Sequence, residues 1–292
     1  MTFKDIFSSN KKVLSLEFFP PKKESQLEET FSLIGGLAEL CPDFMTVTYG
    51  AGGGTRDRTR QIVCHIHRNL KVPAVAHLTC VGHSVEELDG ILNELSEAGV
   101  GYVLALRGDP PKDQSEFTPH PEGFTCARDL AAHIKANHNL SIGVAGYPEV
   151  HQDAVSPDAD MDYLKEKVDA GAEVIFTQLF FESEIYFRFL DKAQSAGIDI
   201  PIQPGVMPIA NVSQVKRFTN MCGASIPTKL SEKLEELENS SQSVVDFGTD
   251  YATALCEELI KGGAPGVHLY TLNKSQQVKP IVESLSSLFQ SK

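Results

Sequence analysis

The sequence lacks the features that mark membrane, secreted and metal-stabilised proteins. No stretch approaches the roughly 20 apolar residues that a membrane-spanning helix needs, and the N-terminal residues MTFKDIFSSNKK contain no apolar signal region. The 6 cysteines are scattered, with no C-x-x-C pair and no cysteine and histidine cluster at zinc-ligand spacing. We therefore expect reduced thiols, no bound metal, no membrane contact and a cytoplasmic location.

Positive charge is scarce as well. The chain has 26 Lys and Arg residues against 39 Asp and Glu residues, which gives a formal net charge of −13. Such a field repels a phosphate backbone, so nucleic acid is not expected as a partner. An anionic cofactor would need a locally basic site or a helix N-terminus. The sequence leaves the oligomeric state open, and a homo-oligomer is compatible with it.

What the sequence does contain is a regular alternation of strand and helix patterns. Eight short apolar runs, most of them starting about 30 residues apart, have the spacing of βα units. Near-continuous apolar strands separated by helices indicate a parallel sheet covered by those helices. With 292 residues, the pattern predicts one α/β domain over residues 1–292, a (β/α)8 TIM barrel. The predicted strands are 13–19, 44–48, 74–78, 102–106, 142–145, 174–177, 202–204 and 267–270.

The segments between these strands have the period of amphipathic helices. Four histidines, His65, His67, His133 and His138, fall in predicted outer helices, where we expect surface or packing roles. Examples of helical periodicity are residues 27–40, 58–69, 85–98, 160–170, 184–196, 213–221, 230–237 and 244–260.

Polar residues close nearly every predicted strand. In a barrel of this kind the loops that follow the strands converge on one mouth, where active sites form. We therefore expect the site to draw on the residues that close the strands: Glu17, Thr48, Tyr49, His77, Thr79, Arg107, Asp109, Tyr147, His151, Gln178, Gln203 and Tyr270.

Glu17 stands out because its neighbours Leu16 and Phe18 are apolar. Burial in such a strand favours the neutral carboxyl group, which suits a proton donor near neutral pH. The alternative is a structural ion pair with a lysine or arginine. Arg107 and Asp109 directly follow another strand, and they could bind oxygen and N–H groups of a ligand, although Gly-Asp-Pro is also ordinary turn chemistry.

The glycine-rich segment 50–55 lacks the third glycine of the dinucleotide fingerprint, so a dinucleotide would bind here without a Rossmann unit. Several segments together resemble the methylenetetrahydrofolate reductase family in its bacterial form, which consists of the catalytic barrel. They run in order through nearly the whole chain: SLEFFPPK (15–22), VTYGA (47–51), RDRT (56–59), HLTC (77–80), ALRGD (105–109), YPEVH (147–151), KVDAGA (167–172), TQ (177–178), PG (204–205) and YTLN (270–273).

The resemblance implies a flavoenzyme. FAD would be reduced by NADH or NADPH, and methylenetetrahydrofolate would then take the place of the nicotinamide and be reduced to 5-methyltetrahydrofolate, in a ping-pong reaction that supplies methyl groups for methionine synthesis. Glu17 would be the general acid that protonates N10 of the folate. Asp109 would be the second catalytic residue, beside the flavin and the pterin.

The same resemblance implies two sets of binding residues. Those for FAD are Thr48, Tyr49, Ala51, His77, Arg107, Gly108, Asp109, Ala127, Tyr147, His151, Ala154, Asp160 and Lys167. Those for the folate are Asp109, Gln178, Gln214, Phe218, Tyr270, Leu272 and Lys274. The chain departs from the family pattern at Cys126, Tyr163 and Glu166, which occupy positions expected to add FAD contacts.

Two alternatives remain open. Another barrel flavoenzyme, similar to proline dehydrogenase, could use the same fold. A folate-binding subunit that has lost its flavin chemistry is the alternative from a different functional class.

Overall fold

Parallel strands alternate with helices along the chain. The structure is a computed structural model, and it describes residues 1–9, 11–50, 55–109 and 118–289. The strands are β1 (Val13–Phe18), β2 (Phe44–Val47), β3 (Ala74–Thr79), β4 (Tyr102–Leu106), β5 (Ser141–Gly146), β6 (Val174–Thr177), β7 (Ile202–Gln203), β8 (Gly205–Val206) and β9 (Gly266–Tyr270).

The α-helices lie around these strands. They are α1 (Phe3–Phe7), α2 (Leu27–Ala38), α3 (Arg56–His65), α4 (Val85–Glu97), α5 (Ala127–Asn137), α6 (Pro157–Asp169), α7 (Ser183–Ser195), α8 (Val212–Cys222), α9 (Thr228–Leu237), α10 (Ser241–Lys261), α11 (Ser275–Ser284) and α12 (Ser286–Phe289). A short 3-10 turn (Glu24–Gln26) precedes α2, and a π-helical turn (Ile66–Leu70) continues α3.

All strands belong to one parallel sheet that curves round on itself. Its order is β7-β6-β5-β4-β3-β2-β1-β9-β8. β1 pairs with both β2 and β9, so the first and last strands of the chain are neighbours. Only Pro204 separates β7 from β8 in sequence, although they lie at opposite ends of the order. The sheet therefore surrounds a central space, and the predicted (β/α)8 barrel is confirmed.

The seventh strand differs from the prediction. Residues 202–204 were expected as one strand, but the structure has two short strands, β7 and β8, on either side of Pro204. Proline has no N–H to donate, whereas its carbonyl oxygen accepts a hydrogen bond from the backbone of His268 at 2.8 Å. The chain changes partner at this residue, because β7 pairs with β6 and β8 with β9.

Alternate residues of each strand face opposite sides of the sheet. In β1, Leu14, Leu16 and Phe18 are buried in the apolar layer between the strands and the helices. Ser15 and Glu17 consequently face the barrel interior. Because of the same alternation, several other strands also direct at least one polar residue into the barrel. Polar groups that are distant in sequence therefore meet there.

Helix α1, which the hydrophobic pattern does not indicate, closes the N-terminal end of the barrel. Its first turn carries a capping box between Thr2 and Asp5. Phe3 is fully buried, and its ring lies 5.6 Å from that of Phe44 and 5.0 Å from that of Tyr102. Phe44 is the first residue of β2, and Tyr102 is the first residue of β4. The N-terminal end is thus filled with rings, and the opposite end remains available for a ligand.

Candidate active site

A cavity of about 500 Å³ opens at the C-terminal ends of the strands. Fourteen of the residues predicted for the site line it, so these strand ends converge on one cavity, although this does not show what they bind. These are Glu17, Thr48, Tyr49, His77, Thr79, Arg107, Gly108, Asp109, Tyr147, His151, Gln178, Phe218, Tyr270 and Leu272.

A second cavity of about 380 Å³ adjoins the first. The two share Arg107, Tyr147 and His151 in their walls, so they form one elongated groove. The remaining predicted cofactor residues with described positions line this second part, namely Ala127, Ala154, Asp160 and Lys167. Ala51 lies outside the described residues.

Four residues that were expected near the site do not line the groove, namely Gln203, Gln214, Lys274 and Glu166. Gln203 is fully buried, and its Nε2 donates to the carbonyl oxygen of Val13 at 2.9 Å. Gln214 sits in the first turn of α8, where its backbone N–H donates to the Asn211 side chain at 3.1 Å, and Phe218, one turn later, lies in the cavity wall instead. Glu166 pairs with Arg128 at 2.7 Å. Cys126 and Tyr163, by contrast, do line the second cavity.

The Glu17 carboxyl group is buried in a cluster of inward-facing polar side chains. Its Oε2 lies 3.2 Å from Nε2 of His268, 3.4 Å from Nε2 of His77 and 3.4 Å from Oγ1 of Thr46. Ser15 Oγ lies 2.8 Å from Nδ1 of His268. When Ser15 donates to Nδ1, the proton of the imidazole resides on Nε2 and is donated to Glu17.

This cluster reverses the expected direction of the Glu17 pKa. Burial raises the pKa, but the hydrogen bond from His268 and the proximity of His77 and Thr46 together leave it below its ordinary value. The sequence predicted a neutral carboxyl group because it showed only the apolar neighbours within β1. The alternative expectation was an ion pair between Glu17 and a lysine or arginine, but the groups found beside the carboxylate are the imidazoles of His268 and His77. Burial lowers the pKa of His77 to about 4.

The backbone of Glu17 is fixed from the end of β9. Its carbonyl oxygen accepts from Oγ1 of Thr271 at 2.6 Å and from the Thr271 backbone N–H at 3.1 Å. The Asn273 side chain binds both polar groups of Phe19, accepting from its N–H at 2.9 Å and donating to its carbonyl at 2.7 Å. Leu272 and Asn273 both have positive φ, at 51° and 54°, so this segment turns sharply across the mouth.

The wall shared by the two cavities comes from the ends of β4 and β5. Arg107 forms an ion pair with Asp153 at 2.8 Å. Gly108 has φ +88°, and a Cβ there would lie 2.6 Å from Val81, so a larger residue cannot replace it without displacement. Val150, in the turn after β5, has φ +72°, which is unusual for a β-branched residue and accompanies the presentation of His151 to the groove.

Lys167 provides a buried cation in the second cavity. Its Nζ donates to the carbonyl oxygen of Ala145 at 2.6 Å, and the residue is only 5% exposed. Burial lowers the pKa of Lys167 to about 8, with Asp160 acting in the opposite direction. Near neutral pH the amine is largely charged and stands at the end of the groove, where an anionic group could pair with it.

Sequence reasoning missed the residues that hold Glu17: Ser15, Thr46, His268, Thr271 and Asn273. Thr271 and Asn273 belong to the YTLN segment, so their neighbourhood was singled out although their roles were not. His268 and Thr46 lie inside predicted strands, and the period-2 alternation that puts Glu17 inside also puts them inside. Counting register from Glu17 could have found them.

A parallel barrel with a buried carboxyl group at its C-terminal mouth and an elongated groove across that mouth defines the class of α/β-barrel enzymes. Within it, a profile of the family described as methylenetetrahydrofolate reductase matches residues 2–286. The chain belongs to the methylenetetrahydrofolate reductase family.

Individual relatives agree with this assignment. The chain is 38% identical to the 5,10-methylenetetrahydrofolate reductase of Salmonella typhimurium, over 93% of this chain and 90% of that protein. It is 37% identical to methylenetetrahydrofolate reductase (NADH) 1 of Arabidopsis thaliana, over 99% of this chain and 51% of that protein. The chain thus spans about half the length of the plant relatives that it matches.

The fold is shared with more distant structures. A Clostridium thermocellum protein described as binding two copies of 5-methyl-5,6,7,8-tetrahydrofolic acid superimposes with a TM-score of 0.62 at 17% identity, covering 96% of both chains. Along the described part of this chain, no helix has the length and apolar character needed to cross a bilayer.

Proposed function

We propose that this chain reduces 5,10-methylenetetrahydrofolate to 5-methyltetrahydrofolate, with hydride from NADH or NADPH passed through FAD in two successive half-reactions. The observation that carries the proposal is the Glu17 carboxyl group, which lines the larger cavity, is hydrogen-bonded to His268 and Thr46, and lies 3.4 Å from Nε2 of His77. Family membership supports the reaction. We further propose that the whole chain forms one catalytic unit, acting in the cytoplasm and supplying methyl groups for methionine synthesis.

The groove suits FAD on two counts. It is elongated, and it has a buried cation in Lys167. In addition, Oγ1 of Thr79 is buried in the wall of the larger cavity and has no hydrogen-bond partner among the described residues. The residues that would hold FAD are those predicted in both cavities, and bound FAD supplies the hydride-transfer chemistry.

Glu17 would supply the proton for N10 of the folate. In the ligand-free barrel its pKa is lowered, so the carboxyl group is ionised at neutral pH. A bound pterin would cover the cavity and remove the remaining solvent, which raises the pKa of a carboxyl group. The substrate would thereby promote protonation of the group that must protonate it. Asp109, exposed at the rim, would accept N–H groups of the pterin.

Gln178, Phe218, Tyr270 and Leu272 line the same cavity as Glu17 and would complete the folate site. The Tyr270 hydroxyl donates to the carbonyl oxygen of Thr177 at 2.7 Å, which fixes the ring beside Glu17. We propose NADH as the physiological donor, because the plant relatives carry NADH in their names.

The test begins with an absorbance spectrum of the purified protein and continues with anaerobic titrations with NADH, NADPH and methylenetetrahydrofolate. Glu17→Gln is expected to keep flavin reduction and to lose most of the folate half-reaction, by roughly 10²–10⁴-fold for removal of a general acid. Glu39→Gln, an exposed change after α2, is the matched control.

Two outcomes would contradict the proposal. A colourless protein that cannot bind added FAD would favour the non-catalytic folate-binding subunit. Turnover of proline without turnover of the folate would favour the other barrel flavoenzyme. If Glu17→Gln slowed both half-reactions equally, the acid role would be wrong while the reaction could still stand.

A further inference from the structure

Two histidines and an aspartate converge on the outside of the barrel, away from the groove. Asp89 belongs to α4, His133 belongs to α5, and His138 is the C-cap residue that follows α5. Nε2 of His133 lies 2.6 Å from Oδ1 of Asp89, and Nε2 of His138 lies 2.8 Å from the same oxygen. None of the three lines either part of the groove.

The local backbone explains this convergence. α4 starts with a capping box formed by Ser84 and Glu87, which sets its first turn and places Asp89 in the next. His138 leaves α5 in an extended conformation, with φ −131° and ψ 146°. Its side chain therefore returns toward His133, and the two imidazole rings lie 5.9 Å apart.

These side chains offer the ligand set of a transition-metal site. One ligand atom from each residue can be chosen so that all three lie within 4.8 Å of one another, and no other such group of three is found among the described residues. Two imidazole nitrogens with one carboxylate oxygen suit Zn²⁺ and similar divalent ions, whereas Mg²⁺ and Ca²⁺ prefer oxygen ligands alone.

We propose that Asp89, His133 and His138 bind a divalent transition-metal ion of the Zn²⁺ class, with a fourth position open to water. The ion would link α4 to α5 on the outer layer of the barrel. The Asp89 side chain is 37% exposed and those of His133 and His138 are 17% and 8% exposed, so the site is anchored in the protein and still reachable from solvent.

Two neighbouring side chains border the cluster. Asn137 Nδ2 donates to the carbonyl oxygen of His133 at 3.0 Å and lies 3.2 Å from Nδ1 of the same residue. With Nε2 bound to the ion, Nδ1 carries the proton, so this amide would have to turn its oxygen toward Nδ1 and give up the bond to the carbonyl. The Phe124 ring lies 5.0 Å from the His133 ring and shields one side of it. Without a metal, the same atoms form two hydrogen bonds to one carboxylate, and the experiment must separate these states.

The test uses full-length protein without a polyhistidine tag, stripped with a chelator and then titrated with Zn²⁺ by calorimetry and with Co²⁺ by visible d–d absorption. One ion per chain is expected. His133→Ala and His138→Ala should each weaken Zn²⁺ binding by at least about tenfold, since loss of a ligand costs no less than loss of its supporting hydrogen bond. His67→Ala, in the π-helical turn that continues α3, is the matched control and should bind Zn²⁺ as the wild type does.

Thermal unfolding of each variant in chelator shows whether it is folded before its metal binding is compared. If the wild type binds Zn²⁺ no more tightly than the His133→Ala/His138→Ala double variant, the proposal is overturned and the cluster is a hydrogen-bonded link only. If His67→Ala loses as much affinity as the cluster variants, the ion binds elsewhere and the proposal is likewise overturned.

Discussion

The role of His268 in setting the proton affinity of Glu17 can be tested with His268→Phe. Both side chains are buried, with residue exposures of 1% and 6%. The histidine ring packs 5.1 Å from the Phe176 ring and 5.3 Å from the Tyr270 ring, so a phenylalanine can occupy the same space. The substitution removes the donor that lies 3.2 Å from the Glu17 carboxylate and leaves His77 and Thr46 in place.

The expected magnitude follows from that one hydrogen bond. A hydrogen bond to a charged group contributes about 1.5–3 kcal/mol. Because this energy favours the ionised carboxylate, the pKa of Glu17 should rise in the variant. Only the protonated acid supports folate reduction under our proposal. The rate of this half-reaction falls as pH rises through the pKa of Glu17, and His268→Phe should move this fall to higher pH.

The assay is a stopped-flow pH profile of the folate half-reaction, with flavin reduction by NADH measured in parallel. Ser15→Ala is the matched control, because it removes the partner of Nδ1 but leaves the bond between His268 and Glu17. We expect a smaller shift in that variant. An unchanged midpoint in His268→Phe, with both half-reactions slowed alike, would refute the reasoning and make His268 a packing residue.

The same substitution predicts a change in stability with a definite sign. The folded-state pKa of Glu17 is lowered, so its ionised form stabilises the fold above the unfolded-state pKa, and this contribution is lost as pH falls through the folded-state value. His268→Phe should therefore lower the free energy of unfolding at neutral pH, and the difference from wild type should shrink in acid. Urea unfolding at several pH values measures this difference, and a deficit that grew in acid would contradict it.

Two further predictions concern the opposite ends of the barrel. Lys167→Met should weaken FAD binding below pH 8. Because the pKa of Lys167 is lowered to about 8, the affinity of the wild type for FAD should decline as pH rises through that value, and the variant should lack this decline. A fluorescence titration with FAD measures both affinities, and a parallel decline in the variant would exclude Lys167 as the cause. Phe3→Ala removes the ring that fills the N-terminal end of the barrel and should lower the free energy of unfolding by about 3–5 kcal/mol, with little change in the Michaelis constants. Urea unfolding measures this loss of stability, and a loss near zero would show that α1 does not close the barrel.

The sequence predicted the barrel and the convergence of the strand ends because both follow from the regular alternation of strand and helix patterns along the chain. The repeating βα units fix the architecture, and a parallel barrel must bring its C-terminal strand ends to one mouth. Residues such as Tyr147 and Gln178 needed no further information to be assigned there. The split at Pro204 was also readable in principle, since a proline in the middle of a strand cannot donate to the ladder.

The chemistry of Glu17 was not readable in the same way. Whether burial or hydrogen bonding decides its pKa depends on which side chains of other strands lie opposite it, and this is set by the register of β1 against β2 and β9. The outer histidines illustrate a similar limit. Asp89 and His133 lie on different helices, so their ligand atoms meet only through the packing of α4 and α5, and sequence spacing carries no sign of it.

The barrel interior is divided along its axis in a way that bears on function. At the N-terminal end, Phe3, Phe44, Tyr102 and Phe176 form an apolar floor. One layer above, the partners of the Glu17 carboxylate among the described residues are His268, His77 and Thr46, and none of these is a lysine or arginine. A carboxyl group held in this manner has no fixed positive charge to keep it ionised, so its proton affinity responds to whatever covers it from the mouth. Under the proposed function, a substrate that fills the cavity can therefore raise the pKa of the group that is to protonate it, whereas a lysine or arginine partner would have locked that group in its ionised form.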